Sequence, residues 1–180
     1  RGAPRPTLGG LKADGTLDDE FTAALDARAR ASVVQPDTKI LVGGEFTTVN
    51  GVATGSIARL NSDGSLDAGF TLPQPNSLTG ALVLQPDGKL LIGGAFTKAN
   101  GVTRQSLARL NPDGTLDNTF DPGAGPDFGI FGMILHPDGQ RIRFGGFSTV
   151  NGVARDAAIA RLNGDGSLGA AFTPTRAISF

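Results

Sequence analysis

Short apolar runs separated by turn residues recur along this chain, and they lack helical spacing. Leu82-Val83-Leu84 and Leu90-Leu91-Ile92 flank Gln85-Pro86-Asp87-Gly88. Uninterrupted apolar runs of this length predict strands covered on both faces. The segment between them predicts a tight hairpin turn. Proline fixes φ at the turn's second position, Asp87 can bond its own backbone, and Gly88 accepts the positive φ needed to enter the next strand. Downstream, Asn100-Gly101 predicts another tight turn and residues 106–111, SLARLN, a third strand. Asp113-Gly114 predicts a third turn, and Leu116-Asp117-Asn118-Thr119-Phe120 a short fourth strand.

The same landmarks return at a nearly fixed step. They include Pro36, Pro86 and Pro137; Asn50-Gly51, Asn100-Gly101 and Asn151-Gly152; and Asp14-Gly15, Asp63-Gly64, Asp113-Gly114 and Asp165-Gly166. A period of about 50 residues with four antiparallel strands per repeat predicts an all-β β-propeller built of four-stranded blades. The spacing divides the chain into a lead-in, partial blade (strands three and four) and connector at 1–31, then blades at 32–77, 78–128 and 129–172. Residues 173–180 begin a further unit. Residues 23–31, AALDARARA, have helix-friendly composition but suffice only for a helical turn in a connector. Such an array is an incomplete or fragmentary propeller, whose open ends expose apolar strand faces that seldom stay bare. We therefore expect the chain to continue beyond Phe180, to pair with another copy, or to be capped by another subunit. A first residue of Arg1 rather than Met suggests a processed or excised segment.

The units resemble the bacterial delta-60 repeat β-propellers, which carry a QPDGK turn, a GG-x-F segment and an ARLN-x-DG-x-LD-x-x-F tail. The matches here are Gln35-Pro36-Asp37, Gly43-Gly44-Glu45-Phe46 and residues 58–70, ARLNSDGSLDAGF, with the same set repeated around Pro86. That resemblance implies a propeller fold and a bacterial surface or extracellular setting. It brings no catalytic residues to carry over.

Composition narrows the function classes. The formal net charge is −1 without a run of like charges, which gives a nucleic acid or other polyanion no surface. With 27 Gly and 11 Pro the chain has the turns that many short strands need. There are no cysteines, which excludes disulfides and thiolate metal sites. No apolar stretch is long enough to span a membrane. All 11 aromatics are phenylalanine, which argues against a sugar-binding or base-stacking surface. Those at Phe46, Phe96 and Phe147, and at Phe21, Phe70, Phe120 and Phe172, recur at equivalent places and predict packing between blades.

No catalytic constellation is present, so we expect no enzyme, no catalytic residue, no cofactor and no metal site. His136 occupies the place of Gln35 and Gln85 beside a turn and reads as a surface residue. Asp18, Asp19 and Glu20 read as a solvated edge. The strings Asn61-x-Asp63-Gly64-x-x-Asp67 and Asn111-x-Asp113-Gly114-x-x-Asp117 resemble calcium loops superficially but lack the leading and terminal acidic ligands, so plain Asp-Gly turns are expected. Gly43-Gly44 and Gly93-Gly94 follow a strand without opening a helix, which predicts close strand packing or a bulge rather than a phosphate loop.

Two departures from the pattern carry expectations of their own. Thr38 stands where Gly88 does, so that turn is strained or of another type. In the last unit, Phe144-Gly145-Gly146-Phe147 against Gly93-Gly94-Ala95-Phe96 suggests a bulge or register change in the second strand.

The repeated charges predict how neighbouring units lock. Arg59, Arg109 and Arg161 share one position, where the partial unit has Gly10. Asp18, Asp67 and Asp117 share another, where the last unit has Gly169. Pairing within each unit gives only Arg59–Asp67 and Arg109–Asp117 and leaves Asp18 and Arg161 over, whereas pairing each arginine with the aspartate of the preceding unit, as Arg59–Asp18, Arg109–Asp67 and Arg161–Asp117, leaves no repeated charge over. The alternative is exposed arginines beside turn-capping aspartates. Functionally the sequence predicts a structural or interaction module, a scaffold or protein-binding surface of a secreted or cell-surface bacterial protein. Its contact loops would be residues 51–56, 101–105 and 152–157, which vary most between units. The alternatives are an enzyme carried on a propeller and a calcium-stabilised adhesin module.

Overall fold

A computed structural model of the chain describes residues 8–135, 141–155 and 159–169, the side chains of 141–144 excepted. The partial unit is a two-stranded sheet, β1 (Leu8–Leu11) against β2 (Leu17–Ala23). The first full unit contains β3 (Ala29–Val34), β4 (Ile40–Gly44), β5 (Thr48–Val49), β6 (Val52–Ala53) and β7 (Ile57–Leu60). The second repeats it as β8 (Thr79–Leu84), β9 (Leu90–Gly94), β10 (Lys98–Ala99), β11 (Val102–Thr103) and β12 (Leu107–Leu110). The third does so as β13 (Ile130–Leu135), β14 (Arg141–Gly145), β15 (Thr149–Val150), β16 (Val153–Ala154) and β17 (Ile159–Leu162). In each unit the first, second and last of these five strands form an antiparallel sheet, and the two short strands form a separate hairpin. No helix occurs among the described residues, and residues 23–31 hold the end of β2, a bridge at Leu25 and the start of β3.

The predicted fourth strand is a single bridge in every full unit: Leu60↔Leu66, Leu110↔Leu116 and Leu162↔Leu168. It stops there because Asp67 turns the chain, its Oδ1 accepting from the Gly69 N–H at 3.0 Å while its carbonyl accepts from the Phe70 N–H. Asp117 does the same for Thr119 and Phe120. Side chains of this kind offer the backbone a local partner in place of a ladder.

Burial follows the apolar runs. The middle strands β4 and β9, and the strands β7 and β12 beside them, are buried almost throughout, whereas β3 alternates between half-buried and exposed. The first strands β3, β8 and β13 touch one another across successive blades. Hydrophobic clusters straddle the boundaries: Phe21 packs with Val42, Phe46 and Leu60; Phe70 with Leu41, Ile57, Leu90 and Phe96; and Phe120 with Leu91, Leu107, Ile130 and Leu162. Phe147 instead packs within its own unit, on Val150 and Ala160. Phe172 lies outside the described residues.

The paired glycines mark close approaches. A Cβ on Gly44 would lie 2.2 Å from the Arg28 carbonyl oxygen, and one on Gly94 2.0 Å from that of Leu78. Gly43 and Gly93 face the next blade instead, where a Cβ would meet Thr79 or Ile130 at 2.9 Å. In the last unit Phe144 occupies the ladder place of Gly43 and Gly93, and no register change occurs. Gly132↔Phe144 and Leu135↔Arg141 repeat Ala81↔Gly93 and Leu84↔Leu90. The expected local bulge in strand two is thus corrected to a glycine-to-phenylalanine replacement in an unchanged ladder. The irregularity that does occur lies in the first strand of every full unit, between Ala29 and Ala31, Thr79 and Ala81, and Ile130 and Gly132.

Thr38 has φ of 68°, against 79° for Gly88 in the equivalent turn. A β-branched residue held there is strained, with its N–H still donating to the Gln35 carbonyl. Thr38→Gly should therefore raise the free energy of unfolding in urea by about 0.5–1 kcal/mol. A decrease would mean that the turn takes another form in solution.

Candidate functional site

Residues repeated in every unit converge where blades meet. The Asp63-Gly64 turn closes with Gly64 N–H donating to the Asn61 carbonyl and Asn61 N–H to the Ser65 carbonyl, and the Leu60↔Leu66 bridge follows. One residue further out on each side are Arg59 and Asp67, joined through the backbone by Asp67 N–H donating to the Arg59 carbonyl at 2.9 Å. Arg59 and Asp67 of one unit are therefore neighbours by hairpin register. Arg59 Nε donates to Asp67 Oδ2 at 2.7 Å, and Arg109 Nε to Asp117 Oδ2 at 2.7 Å. The partial unit has the same register, Gly10↔Asp18, with no side chain at Gly10 to meet the carboxylate. These contacts overturn the expected pairing of Arg109 with Asp67 and Arg59 with Asp18. Completing a set of charges was the wrong criterion, because two groups facing each other across a turn are committed by backbone geometry first.

The arginines nevertheless join units, through a different acceptor. Arg59 Nη1 donates to the Pro112 carbonyl at 2.7 Å, and Arg109 Nη1 to the Gly164 carbonyl at 2.7 Å. Each carbonyl belongs to the Asp-Gly turn of the following blade. A second link is wholly main chain: the N–H groups of Thr22, Thr71 and Asp121 donate to the carbonyls of Asp63, Asp113 and Asp165. Each guanidinium also lies over a phenylalanine of its own unit, 4.7 Å from the Phe70 centroid for Arg59 and 4.8 Å from that of Phe120 for Arg109. Both arginines are buried, so each has exchanged water for a carboxylate, a carbonyl and a ring.

Sequence reasoning missed the third member of this cluster. Lys39 Nζ lies 2.8 Å from Asp67 Oδ2, and Lys89 Nζ 2.9 Å from Asp117 Oδ2. The signal was present: the unit that has Gly169 in place of the aspartate also has Gln140 in place of the lysine. Equally unmarked were Asp26, Asn76 and Asp127, one in each connector. Asp26 Oδ1 accepts from the N–H groups of Thr47 and Thr48, Asn76 Oδ1 from Thr97 and Lys98, and Asp127 Oδ1 from Ser148 and Thr149. These caps tie each short hairpin to its connector. Asn50, Asn100 and Asn151 all turn those hairpins at φ near 50°, followed by a positive-φ glycine.

The remaining candidates are placed separately. His136 and Ala157 lie outside the described residues. Asp18 Oδ1 accepts from the Glu20 N–H, and Asp19 and Glu20 are exposed on β2. In the calcium-like strings, Asp63 and Asp113 bond the N–H and hydroxyl of Ser65 and Thr115, while Asp67 and Asp117 face cations. Among the described residues no group of three or more His, Asp or Glu side chains is arranged to hold a metal.

The carboxylates register these contacts. The Lys39 ammonium leads the groups that hold Asp67 at about 2, with the Gly69 N–H and Arg59 adding to it against burial. Burial opposes the charge of Asp117, yet bonds from Thr119, Lys89 and Arg109 hold it far below the ordinary 3.8. Asp26 and Asp127 sit at about 2 through the hydroxyls of Thr47 and Ser148 and adjacent backbone N–H groups.

A carboxylate whose pKa is lower when folded stabilises the fold fully above its unfolded value and loses that contribution as pH falls through the folded one. Stability should therefore be flat down to about pH 4 and fall steeply toward pH 2. Asp67→Asn, compared with the parent by urea unfolding at several pH values, should shallow that fall; an unchanged slope would mean Asp67 is not held as described. Arg109→Ala should cost about 3 kcal/mol, as expected for breaking a buried pair. Arg109→Lys should recover less than half of the loss, since an ammonium lacks the fork that reaches carboxylate and carbonyl together.

Comparison with known proteins agrees with this geometry. A search of the curated proteins finds no match. Among solved structures, one titled streptogramin B lyase structure is similar in fold, with a TM-score of 0.54 at 20% identity. The likeness covers 89% of this chain and 46% of that one. The family described as domain of unknown function (DUF5122) beta-propeller matches residues 35–70, 85–120 and 136–172, the first two matches running from the first hairpin turn to the phenylalanine that packs against the next blade. The chain belongs to that family of β-propeller repeats.

Proposed function

We propose that the chain is a display module, a rigid row of blades that presents its short hairpins to a protein partner. The observation that carries this reading is the repetition of one exposed apolar residue at the same hairpin position of successive blades. Val52, Val102 and Val153 are 50%, 41% and 48% exposed. Equivalent positions of consecutive blades lie along one side of the array, so the three side chains form a spaced apolar row. Rigidity supports the reading too. Each hairpin is held from its connector by Asp26, Asn76 or Asp127, which lowers the ordering cost of binding. Exposed residues beside the tips differ between units: Ala53 in one, Thr103 in the next, which also carries the half-buried Arg104. A constant frame with variable flanks is the pattern expected of a recognition surface.

A secreted or cell-surface bacterial setting, and the narrower delta-60 repeat assignment, follow from the resemblance of the QPDG and ARLN segments and belong to the same proposal. A non-catalytic role fits the use of the repeated ionisable groups, which are engaged in turns, caps and clasps. The test is a triple substitution, Val52→Asp, Val102→Asp and Val153→Asp, all at exposed positions. Partners cross-linked to the parent chain on intact bacterial surfaces should be lost from the variant, with melting temperature unchanged. Equal recovery of the same partners by both proteins would overturn the reading.

A further inference from the structure

The short hairpins of the three full units turn on the same dipeptide, at Asn50-Gly51, Asn100-Gly101 and Asn151-Gly152. Their backbones match closely, with asparagine φ of 50°, 49° and 52° and glycine φ of 79°, 76° and 74°. All six residues are exposed, and a Cβ on any of these glycines would meet no atom within 4 Å. An asparagine followed by glycine is reactive in itself, because no side chain shields the glycine nitrogen from the asparagine Cγ. In a folded chain the restraint is whatever keeps the side-chain amide from swinging over its own backbone.

The three turns differ in that restraint. Asn50 Oδ1 accepts from the Ala24 N–H at 2.8 Å, and its Nδ2 donates to the Gly64 carbonyl at 3.1 Å. Asn151 Oδ1 accepts from the Gly125 N–H at 2.8 Å, and the same amide lies against Gly123, where a Cβ would come 2.9 Å from Oδ1. No such bond holds the Asn100 amide among the described residues. The cause lies in the connector. Ala24 and Gly125 stand two positions before the capping Asp26 and Asp127, and each accepts from the asparagine N–H while donating to its side chain. The corresponding residue before Asn76 is Gln74, at φ of 40°, and the Asn100 N–H donates one position earlier, to the Pro73 carbonyl. The loop of bonds that closes on Asn50 and Asn151 is therefore open at Asn100.

We infer that Asn100 is a modification site, converting spontaneously to aspartate and isoaspartate while Asn50 and Asn151 persist. The Gly101 nitrogen bonds to Asn100 Cγ, its proton passes through water to Nδ2, and the Cγ–Nδ2 bond breaks to release ammonia and leave a cyclic imide. Water then opens the imide. Attack at Cγ restores the ordinary backbone with an aspartate side chain, and attack at the Asn100 main-chain carbonyl gives isoaspartate, whose backbone runs through Cγ. Either product sets a carboxylate beside Val102 at the tip of the middle hairpin, and isoaspartate adds a methylene to a two-residue turn. The chemistry is independent of whether the hairpins meet a partner.

Ageing of the folded chain at mildly alkaline pH, followed by peptide mapping, tests the inference. The three asparagines fall in separate tryptic peptides, residues 40–59, 99–104 and 144–155, so the mass change from amide to acid is read at each. Asn100 should convert at least about tenfold faster than either of the others, the factor that one hydrogen bond supplies. Ala99 precedes Asn100 where valine precedes Asn50 and Asn151, and ageing in denaturing urea measures what that local difference contributes. There the three rates should converge. Pro73→Ala with Gln74→Gly makes the middle connector read as Ala124-Gly125-Pro126 does, and should slow Asn100 toward the rate of Asn151. Equal rates in the folded parent, faster conversion at Asn50 or Asn151, an undiminished lead of Asn100 in urea, or a folded connector variant with Asn100 as fast as before would each overturn the inference.

Discussion

The structure depends on a guanidinium that serves two blades at once. Arg59 and Arg109 each hold a carboxylate of their own unit with Nε and a turn carbonyl of the next with Nη1. Neither contact alone would fix the spacing of blades. Together they place the Asp-Gly turn of one unit against the phenylalanine of its predecessor, and that phenylalanine closes the hydrophobic cluster between them. A three-stranded sheet with both faces apolar is unstable by itself, so each blade is completed only by its neighbours. The polar clasp supplies direction to packing that apolar contact would leave free to slide.

The fold was largely legible because its periodic marks are local. Pro86-Asp87-Gly88, Asn100-Gly101 and Asp113-Gly114 each determine a turn within a few residues, and the buried runs such as Leu90-Leu91-Ile92 can only be strands covered on both sides. The clasp was half legible. Its members repeat, and Arg59, Asp67 and Phe70 were all visible as a set. Their pairing was not, although counting outward from the Asp63-Gly64 turn places Arg59 opposite Asp67 without any appeal to charge. Lys39 and the Pro112 carbonyl were harder to see. The lysine lies 28 positions from its aspartate, and a carbonyl leaves no mark in a sequence. Gly145-Gly146 misled for another reason: an adjacent glycine pair displaced by one looks like an insertion, while the ladder shows Phe144 in the position of Gly93.

Rigid and variable parts of each blade are separated along the chain. The first hairpin, the strand leading to Arg59 and the Asp-Gly turn are occupied with neighbours, and their side chains are fixed by what they touch. The short hairpin projects from this frame with an asparagine at positive φ, a strained position held by contact with the connector: Asn50 N–H and Oδ1 engage the carbonyl and N–H of Ala24, and Asn151 engages Gly125 in the same way. Sequence change at the exposed positions 52–53 or 102–103 therefore leaves the array intact. The division resembles that of other folds in which a constant scaffold carries exchangeable loops.

The link from Thr22 to Asp63, repeated from Thr71 to Asp113 and from Asp121 to Asp165, is made by main-chain atoms on both sides. It is indifferent to the identity of the residue that donates, as the change from threonine to aspartate illustrates. A blade inherited from elsewhere in such a gene would find the same acceptor waiting. A whole unit added to or removed from the row therefore needs no new main-chain link, even at a joint where the arginine is absent, as at Gly10.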